Sequence, residues 1–233
     1  QMLEKLSAFA SGLLLKTLGG GSLAQELLGL YATYLSLIAE GEYVPGQDWL
    51  IPLDDYQSWF GRRTRRGRRA DLMVLRNPSP EVLRLVAVES KWYKQSIAKG
   101  FVRDEFGEDG QMRTTVTSLR SLFDPAQDRL DKHHWQRTLS SLLEAAPDFW
   151  ARFRERTEWS LEVDGIVYVH QYDEEESERL HARREALLAE IAEHVTFPTA
   201  EQFFSRGPSV KRLRVKARDE IIGLFTQGSQ GNT

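Results

Sequence analysis

Three charged residues lie in a stretch of the sequence that otherwise has the pattern of paired β-strands. Asp71 opens one apolar run, and Glu89 and Lys91 close the next. If residues 77–80 (Asn-Pro-Ser-Pro) form the turn of an antiparallel hairpin, positions that add up to about 160 face each other, so Asp71 lies opposite Glu89. Because side chains alternate along a strand, Lys91 shares the face of Glu89. The sequence therefore predicts two carboxylates and one amine at the open end of one hairpin.

Two carboxylates this close repel each other unless a cation lies between them. Mg²⁺ prefers oxygen ligands and typically uses one or two carboxylates together with a substrate phosphate. We therefore expect Asp71 and Glu89 to bind Mg²⁺, for which Mn²⁺ can substitute. Lys91 would orient or help to deprotonate an attacking water, or neutralise charge that develops on a phosphate. This chemistry suits the hydrolysis of a phosphodiester bond.

The acid-x-lysine spacing alone carries little information, because chance gives about one match among 8 lysines and 34 acidic residues in 233. In the alternative interpretation, Glu89 and Lys91 lie on the solvent face of an antiparallel strand and Asp71 merely begins its neighbour. Against this, the odd-numbered residues of 83–87 are apolar and share the face of Glu89 and Lys91. That face is therefore expected to belong to the core.

A loop rich in arginine precedes the hairpin. Its six arginines are Arg62, Arg63, Arg65, Arg66, Arg68 and Arg69. So much like charge is costly unless an anion binds it, and the planar guanidinium group suits bidentate contacts to phosphate. We expect this loop to bind the backbone of a nucleic acid without reading its sequence. A targeting signal or a disordered loop is the alternative.

The elements that position these residues follow from apolar periodicity. The expected helices cover 2–15, 22–39, 110–146, 173–194 and 210–225, and the expected strands cover 43–53 (at a sheet edge), 70–75, 82–92 and 163–172. The last helix is basic and would extend the binding surface through Lys211, Arg212, Arg214, Lys216 and Arg218. This order predicts an α/β domain whose mixed central sheet is flanked by helices. Its core would be residues 1–172, and residues 173–233 would be a helical C-terminal extension.

The hairpin residues resemble the PD-(D/E)XK superfamily of restriction-endonuclease-like nucleases. In that family the first strand of a hairpin carries an aspartate and the second an acid-x-lysine triplet, which Asp71, Glu89 and Lys91 match. The resemblance covers roughly residues 22–172, and the proline of the family motif is Ala70 here. It implies a restriction-endonuclease-like fold and the metal-dependent hydrolysis of DNA. Ser90 would add its carbonyl as a further metal ligand.

Two more residues come from the same resemblance. Many members carry a glutamate on the helix before the sheet that completes the metal site, and Glu26 is the candidate, although an ordinary first-turn glutamate is an equally good interpretation. Some members that resemble the RecB nuclease domain carry a glutamine on the helix after the lysine strand. Gln111 matches it, but the tyrosine expected four residues later is Thr115. The match at Gln111 is therefore partial.

Charge and composition bear on the partners. The net charge is −3, yet residues 62–103 hold 12 basic and 3 acidic residues, so the hairpin region is strongly positive. There is no cysteine, which excludes disulfides and thiolate metal sites and favours a cytoplasmic location. No apolar run is long enough to span a bilayer. The five histidines show no metal-ligand spacing, which favours packing roles.

The sequence thus predicts a Mg²⁺-dependent deoxyribonuclease that acts as an endonuclease, with exonuclease activity left open as the alternative. A first residue of Gln1 and a polar C-terminal tail suggest a module of a larger restriction, defence or repair machine with a helicase or translocase subunit. Cutting both strands of a duplex would favour a homodimer. The rival hypothesis is a catalytically inactive nucleic-acid-binding module of the same fold. A helical scaffold with an accidental resemblance is the third.

Overall fold

A computed structural model describes residues 22–53, 69–79, 82–93, 100–107, 109–123, 160–171, 173–194 and 209–228. These residues contain a five-stranded sheet whose spatial order follows the chain. Its strands are β1 (Trp49–Pro52), β2 (Leu72–Ser79), β3 (Val82–Tyr93), β4 (Ser160–Gln171) and β5 (Ser209–Lys216). Strands β1, β2 and β3 pair antiparallel, whereas β4 runs parallel to β3 and to β5. The expectation of a mixed α/β sheet is confirmed.

The predicted hairpin is present with the predicted register. Leu72 pairs with Val88 and Leu75 with Leu85, as positions that add up to about 160 require. The side chain of Asn77 closes the turn by donating hydrogen bonds to the carbonyls of Ser79 and Val82. A local irregularity in the register lies beside this turn and leaves the other end of the hairpin unaffected.

Helices cover both faces of the sheet. They are α1 (Ser22–Ala39), α2 (Phe101–Phe106), α3 (Gln111–Phe123), α4 (Glu174–His194) and α5 (Arg218–Gly228). We call the face that carries the odd-numbered residues of β3 the front face; α2, α3 and α4 pack on it. The back face carries the even-numbered residues of β3 and is covered by α1, against which α5 packs. Among these helices, none is long and apolar enough to cross a membrane.

The strand β3 is apolar on both faces because helices cover both of them. Its odd-numbered residues Leu83, Leu85 and Ala87 join the front core, and Val86 and Val88 join the back core. The front face is therefore core up to the position of Glu89. The alternative in which Glu89 lies on a solvent face is wrong, since that side chain is 2% exposed.

The prediction of a basic helix over 210–225 is wrong. Residues 209–216 form β5, an edge strand of the sheet, and only then does α5 begin. The reason is a period of two, since Leu213 and Val215 are buried in the front core while Arg214 and Lys216 alternate with them. The C-terminal segment is thus not purely helical, because it supplies one strand of the sheet.

Glu40, on the back face, holds the side chains of Arg214 and Lys216 close to the sheet. Glu40 accepts hydrogen bonds from Tyr168 and Arg214 at 2.9 and 3.1 Å, and its other oxygen lies 2.6 Å from Lys216 Nζ. Although burial raises the pKa of Glu40, its bonds with Lys216, Tyr168 and Arg214 lower the pKa below its ordinary value. One carboxylate thus lets a basic segment become an edge strand, and Arg214 and Lys216 are engaged within the fold.

Several predictions fall on other parts of the chain. The helix over 2–15, the crossover beyond residue 123 and the arginines of 62–68 lie outside the described residues. The helices predicted over 22–39 and 173–194 and the strand over 163–172 are confirmed within one to three residues at their ends. The edge strand predicted within 43–53 is β1, which lies at the end of the sheet opposite β5.

The packing of α3 on β4 depends on a glycine and generates a prediction. A Cβ atom at Gly165 would lie 2.6 Å from Met112 Sδ and 3.2 Å from Val116 Cγ2, both in the front core. Gly165→Ala should therefore lower the free energy of unfolding by about 1 to 3 kcal/mol, measured by urea denaturation. Gly223→Ala in α5, where a Cβ meets nothing within 4 Å, is the matched control and should stabilise by up to about 1 kcal/mol. Equal effects of the two changes would contradict this packing.

Candidate active site

The candidate site lies where β3 extends past the first residue of β2. The last pair between these strands is Leu72 with Val88, whereas residues 89–93 of β3 pair only with β4. Glu89 and Lys91 therefore project from the front face at a sheet end that β2 leaves open. Asp71 is the residue immediately before β2 and lies at the same point.

Main-chain groups on both sides hold Asp71. Its carbonyl accepts a hydrogen bond of 2.9 Å from the N–H of Leu53, which continues the pairing with β1. Its side-chain Oδ2 accepts one of 2.8 Å from the N–H of Ser90. In an extended strand the N–H and C=O of one residue point to the same side, so the Ser90 carbonyl is directed toward Asp71 as well. The carboxylate thus has a defined place beside β3.

Lys91 lies between two buried glutamates. Its Nζ atom is 2.5 Å from Glu89 Oε1 and 3.1 Å from Glu105 Oε1. Both glutamates are nearly inaccessible, whereas about a quarter of the Lys91 side chain is exposed. The ammonium group is thus held by both glutamates, while part of the Lys91 side chain stays accessible to solvent.

Burial and the neighbouring charges shift the pKa values of Lys91 and Glu89. Burial lowers the pKa of Lys91, but the negative charges of Glu89 and Glu105 outweigh it and raise the pKa above its ordinary value. Burial, followed by the negative charge of Asp71, raises the pKa of Glu89 well above its ordinary value. Lys91 therefore stays an ammonium ion near neutral pH. As an ammonium ion it is a donor of hydrogen bonds.

Gln111, the first residue of α3, connects the two strand ends. Its Nε2 atom donates to Glu89 Oε2 at 2.8 Å and to the carbonyl of Arg69 at 2.5 Å. Its Oε1 atom lies 3.5 Å from Lys91 Nζ. The side chain that the partial sequence match selected is therefore in contact with both Glu89 and Lys91.

The two departures from the family pattern occur together in the structure. The N–H of Ala70 donates to Thr115 Oγ1 at 2.8 Å, and that hydroxyl donates to the carbonyl of Gln111. A proline at position 70 would have no N–H for this bond. The alanine in place of the motif proline and the threonine in place of tyrosine thus form one contact that fastens α3 to the residue before Asp71.

The structure does not bring every predicted site residue to this point. Glu26 is exposed on α1, a helix that packs on the back face, whereas Glu89 projects from the front face. Arg69 is 9% exposed and therefore does not offer an open guanidinium group to a phosphate. The other five arginines of the loop lie outside the described residues.

Two residues of the site were missed in the sequence. Glu105 follows the buried Phe101 and Val102 by one helical turn in α2 and precedes the buried Phe106, so an acid at an apolar helical position was the available signal. Tyr93 lies two residues after Lys91 on the front face and is partly buried. Burial raises the pKa of Tyr93, and the nearby charges of Glu105 and Glu89 raise it further.

The oxygen atoms at this site can be compared with the needs of a metal ion. Among the described residues, no group of three or more His, Cys, Asp or Glu side chains has an arrangement that could hold one. Asp71 and Glu89 nevertheless fit Mg²⁺, which needs only one or two carboxylates and keeps several waters. The main-chain carbonyl of Ser90 adds an oxygen of the same hard type. Burial is the largest cause of the raised pKa of Glu89, and the repulsion from Asp71 that adds to it is what a bound cation would relieve.

Comparison of the chain with family models, with curated proteins and with solved structures found no match. The chemistry of this site must therefore be argued from its own residues.

The raised pKa of Glu89 predicts how stability depends on pH. A carboxyl that holds its proton more tightly in the folded state than in the unfolded state makes the free energy of unfolding decrease as the pH rises through the raised pKa. In the presence of a chelator, the wild type should show this decrease from pH 4.5, the ordinary value for glutamate, upward. Glu89→Gln should lack the part of this decrease that comes from the carboxyl of Glu89. The free energy of unfolding is measured by urea denaturation across the pH range. Glu175→Gln, an exposed glutamate of α4, should keep the wild-type slope; a slope unchanged in Glu89→Gln would refute the assignment.

Proposed function

We propose that this protein is a Mg²⁺-dependent nuclease with a restriction-endonuclease-like fold that hydrolyses phosphodiester bonds of DNA. The observation that carries the proposal is the convergence of Asp71, Glu89, Lys91 and Gln111 at the point where β3 extends past β2. Asp71 directly precedes the first strand of the hairpin, Glu89 and Lys91 lie on its second strand, and Gln111 is the first residue of α3. Hydrogen bonds or ion pairs connect Glu89 with both Lys91 and Gln111.

Asp71 and Glu89, with the carbonyl of Ser90, would hold the cation. When bound, Mg²⁺ supplies positive charge to a scissile phosphate and lowers the pKa of water. The residues of the chain keep the ligands in place, since Ser90 N–H binds Asp71 and Gln111 binds Glu89. Ligands that are oriented in this way need no rearrangement before the reaction.

Lys91 would act as a fixed cation. Its ammonium group is a hydrogen-bond donor, so it can orient an attacking water or stabilise negative charge on a non-bridging phosphate oxygen. Glu105 supports this role, because it binds Lys91 from α2 and helps to fix the ammonium group beside Glu89. The sequence-based alternative that Lys91 removes a proton from water is disfavoured by its raised pKa.

DNA as the substrate is supported by charge. Five arginines of residues 62–68 directly precede Arg69, whose carbonyl is bonded to Gln111 in the site. The chain therefore enters the site from its most basic segment. Contacts from arginine to phosphate position a nucleic acid along its backbone, which would bring a phosphodiester near Lys91.

The cleavage of a supercoiled plasmid in Mg²⁺ or Mn²⁺ tests the site. Asp71→Asn, Glu89→Gln and Lys91→Met should each reduce the rate by about 100-fold or more, because each removes charge at the reacting phosphate. Asp219→Asn, an exposed aspartate on α5 at the other side of the molecule, should cut like the wild type. Chelation of the metal should abolish cleavage in every case.

Retained cleavage in Asp71→Asn and Lys91→Met would refute this site. DNA binding by the wild type without cleavage in either metal would favour the inactive binding module instead. A preparation that neither binds nor cuts DNA would refute both hypotheses.

The arginine loop predicts how DNA binding depends on salt. The logarithm of the binding constant should fall linearly with the logarithm of the salt concentration, with a slope of about 0.9 for each phosphate that the protein neutralises. Replacing Arg62, Arg63, Arg65, Arg66 and Arg68 with Gln should reduce the slope by about 0.9 for each phosphate that the loop no longer binds, measured by fluorescence anisotropy. Arg179→Gln with Arg183→Gln, exposed arginines on α4, should leave the slope unchanged. An unchanged slope in the five-fold variant would exclude the loop from the interface.

A further inference from the structure

A chain of buried polar contacts reaches the site from the back face. Ser90, between Glu89 and Lys91, directs its side chain to the back face, where Thr33 Oγ1 on α1 donates to Ser90 Oγ at 2.9 Å. The same Thr33 oxygen lies 2.8 Å from His170 Nε2 on β4. Thr33 and His170 are fully buried. Ser90, whose main chain binds Asp71, is thus held through its side chain by Thr33, which His170 contacts in turn.

The imidazole of His170 has a defined state. Burial, together with the nearby charge of Lys216, lowers the pKa of His170 to about 3, so the ring is neutral. Thr33 Oγ1 and Nε2 of the neutral ring share a hydrogen bond of 2.8 Å, whose direction depends on the tautomer of the ring. Among the described residues, the buried Nδ1 atom has no hydrogen-bond partner. The ring stacks nearly parallel to the ring of Tyr168, with the two ring centroids 6.2 Å apart. The hydrogen bond to Thr33 is therefore the polar contact of the imidazole.

Ser90 needs this side-chain contact because, among the described strands, no strand-to-strand hydrogen bond holds it on the side of β2. The pairing with β2 ends at Val88, and the Ser90 N–H is bonded to the side chain of Asp71 instead. On its other side the chain pairs with β4, where Tyr168 is opposite Ser90. The main-chain groups that face Asp71 can therefore shift if the side chain of Ser90 is released.

The contact between α1 and β3 requires close approach. Gly29 lies one helical turn before Thr33, and a Cβ there would meet Ser90 Oγ at 3.1 Å and Trp92 Cβ at 3.2 Å. Glycine at this position lets α1 lie near enough for the Thr33 hydroxyl to reach Ser90. Helix α1 thus packs directly against Ser90, the residue between Glu89 and Lys91.

We propose that Thr33 and His170 are positioning residues of the metal site: from the back face they hold Ser90 where its N–H binds Asp71 and its carbonyl faces the cation. This inference rests on the proposed function, because it takes Asp71 and the Ser90 carbonyl as metal ligands. Neither Thr33 nor His170 touches the cation or the substrate. Their effect is transmitted through the main chain of Ser90.

The affinity of the folded protein for Mn²⁺, measured by isothermal titration calorimetry, tests the proposal. Thr33→Val keeps the shape but removes the hydroxyl, and it should weaken Mn²⁺ binding about tenfold, as the loss of a group that orients a ligand does. Thr33→Ser restores the hydroxyl and should bind like the wild type. Ser90→Ala removes the same contact from the strand and should resemble Thr33→Val. The double variant of Thr33→Val and Ser90→Ala should be no weaker than either single variant, since both remove one interaction.

Ser36→Ala is the matched control. Ser36 is a buried hydroxyl on the same helix, but it donates to the carbonyl of Ala32 within α1 and not to the sheet. It should leave Mn²⁺ affinity unchanged whatever its effect on the free energy of unfolding. A loss of affinity in Ser36→Ala equal to that in Thr33→Val would show a general effect of destabilisation and overturn the proposal.

The remaining outcomes distinguish a failure of the proposed function from a failure of this inference. A wild type that binds no Mn²⁺ would overturn the proposed function and this inference with it. A wild type that binds Mn²⁺, with Thr33→Val bound equally well, would overturn this inference alone. If Thr33→Val does not fold, wild-type affinity in folded Ser90→Ala gives the same refutation.

Discussion

The ion pair between Glu89 and Lys91 is the interaction on which the front face of the sheet depends. It ends a strand that is otherwise apolar, and Glu89 is buried. Buried charges are costly unless they are paired and hydrogen-bonded. Glu105 and Gln111 meet this need from α2 and α3, so two helices are fastened to the end of the sheet by the charges that they satisfy. The same contacts bring Glu89, Lys91, Glu105 and Gln111 to one place, while the N–H of Ser90 holds Asp71 beside them.

The unequal lengths of β2 and β3 give that place its chemical character. Because β2 begins opposite Val88, the next residues of β3 have main-chain groups that no strand on that side uses. Ser90 N–H binds the carboxylate of Asp71, which precedes β2. Ser90 also connects the two faces, since its side chain is hydrogen-bonded to Thr33 on α1, on the back face. The site is therefore built through the thickness of the sheet and not only on its front.

Local pattern was enough to predict the hairpin, its register, and the common face of Glu89 and Lys91. These features depend on the period of two and on a strong turn, which act over short distances along the chain. Gln111 was also predicted as a site residue, although only through a partial match to the family pattern. The helix bounds of α1 followed from periodicity in the same way.

Only the tertiary structure decided which distant residues complete the site. Glu105 contacts Lys91 across 14 positions of sequence and Thr33 contacts Ser90 across 57, while His170 joins this group through Thr33. Glu26, equally plausible by type, lies on α1, which packs on the back face. The segment 209–216 became a strand because an open sheet edge was available to its period of two. Sequence determines which side chains can do chemistry and which neighbours share a face. The fold determines which of them meet, because burial and long-range pairing decide where each element packs.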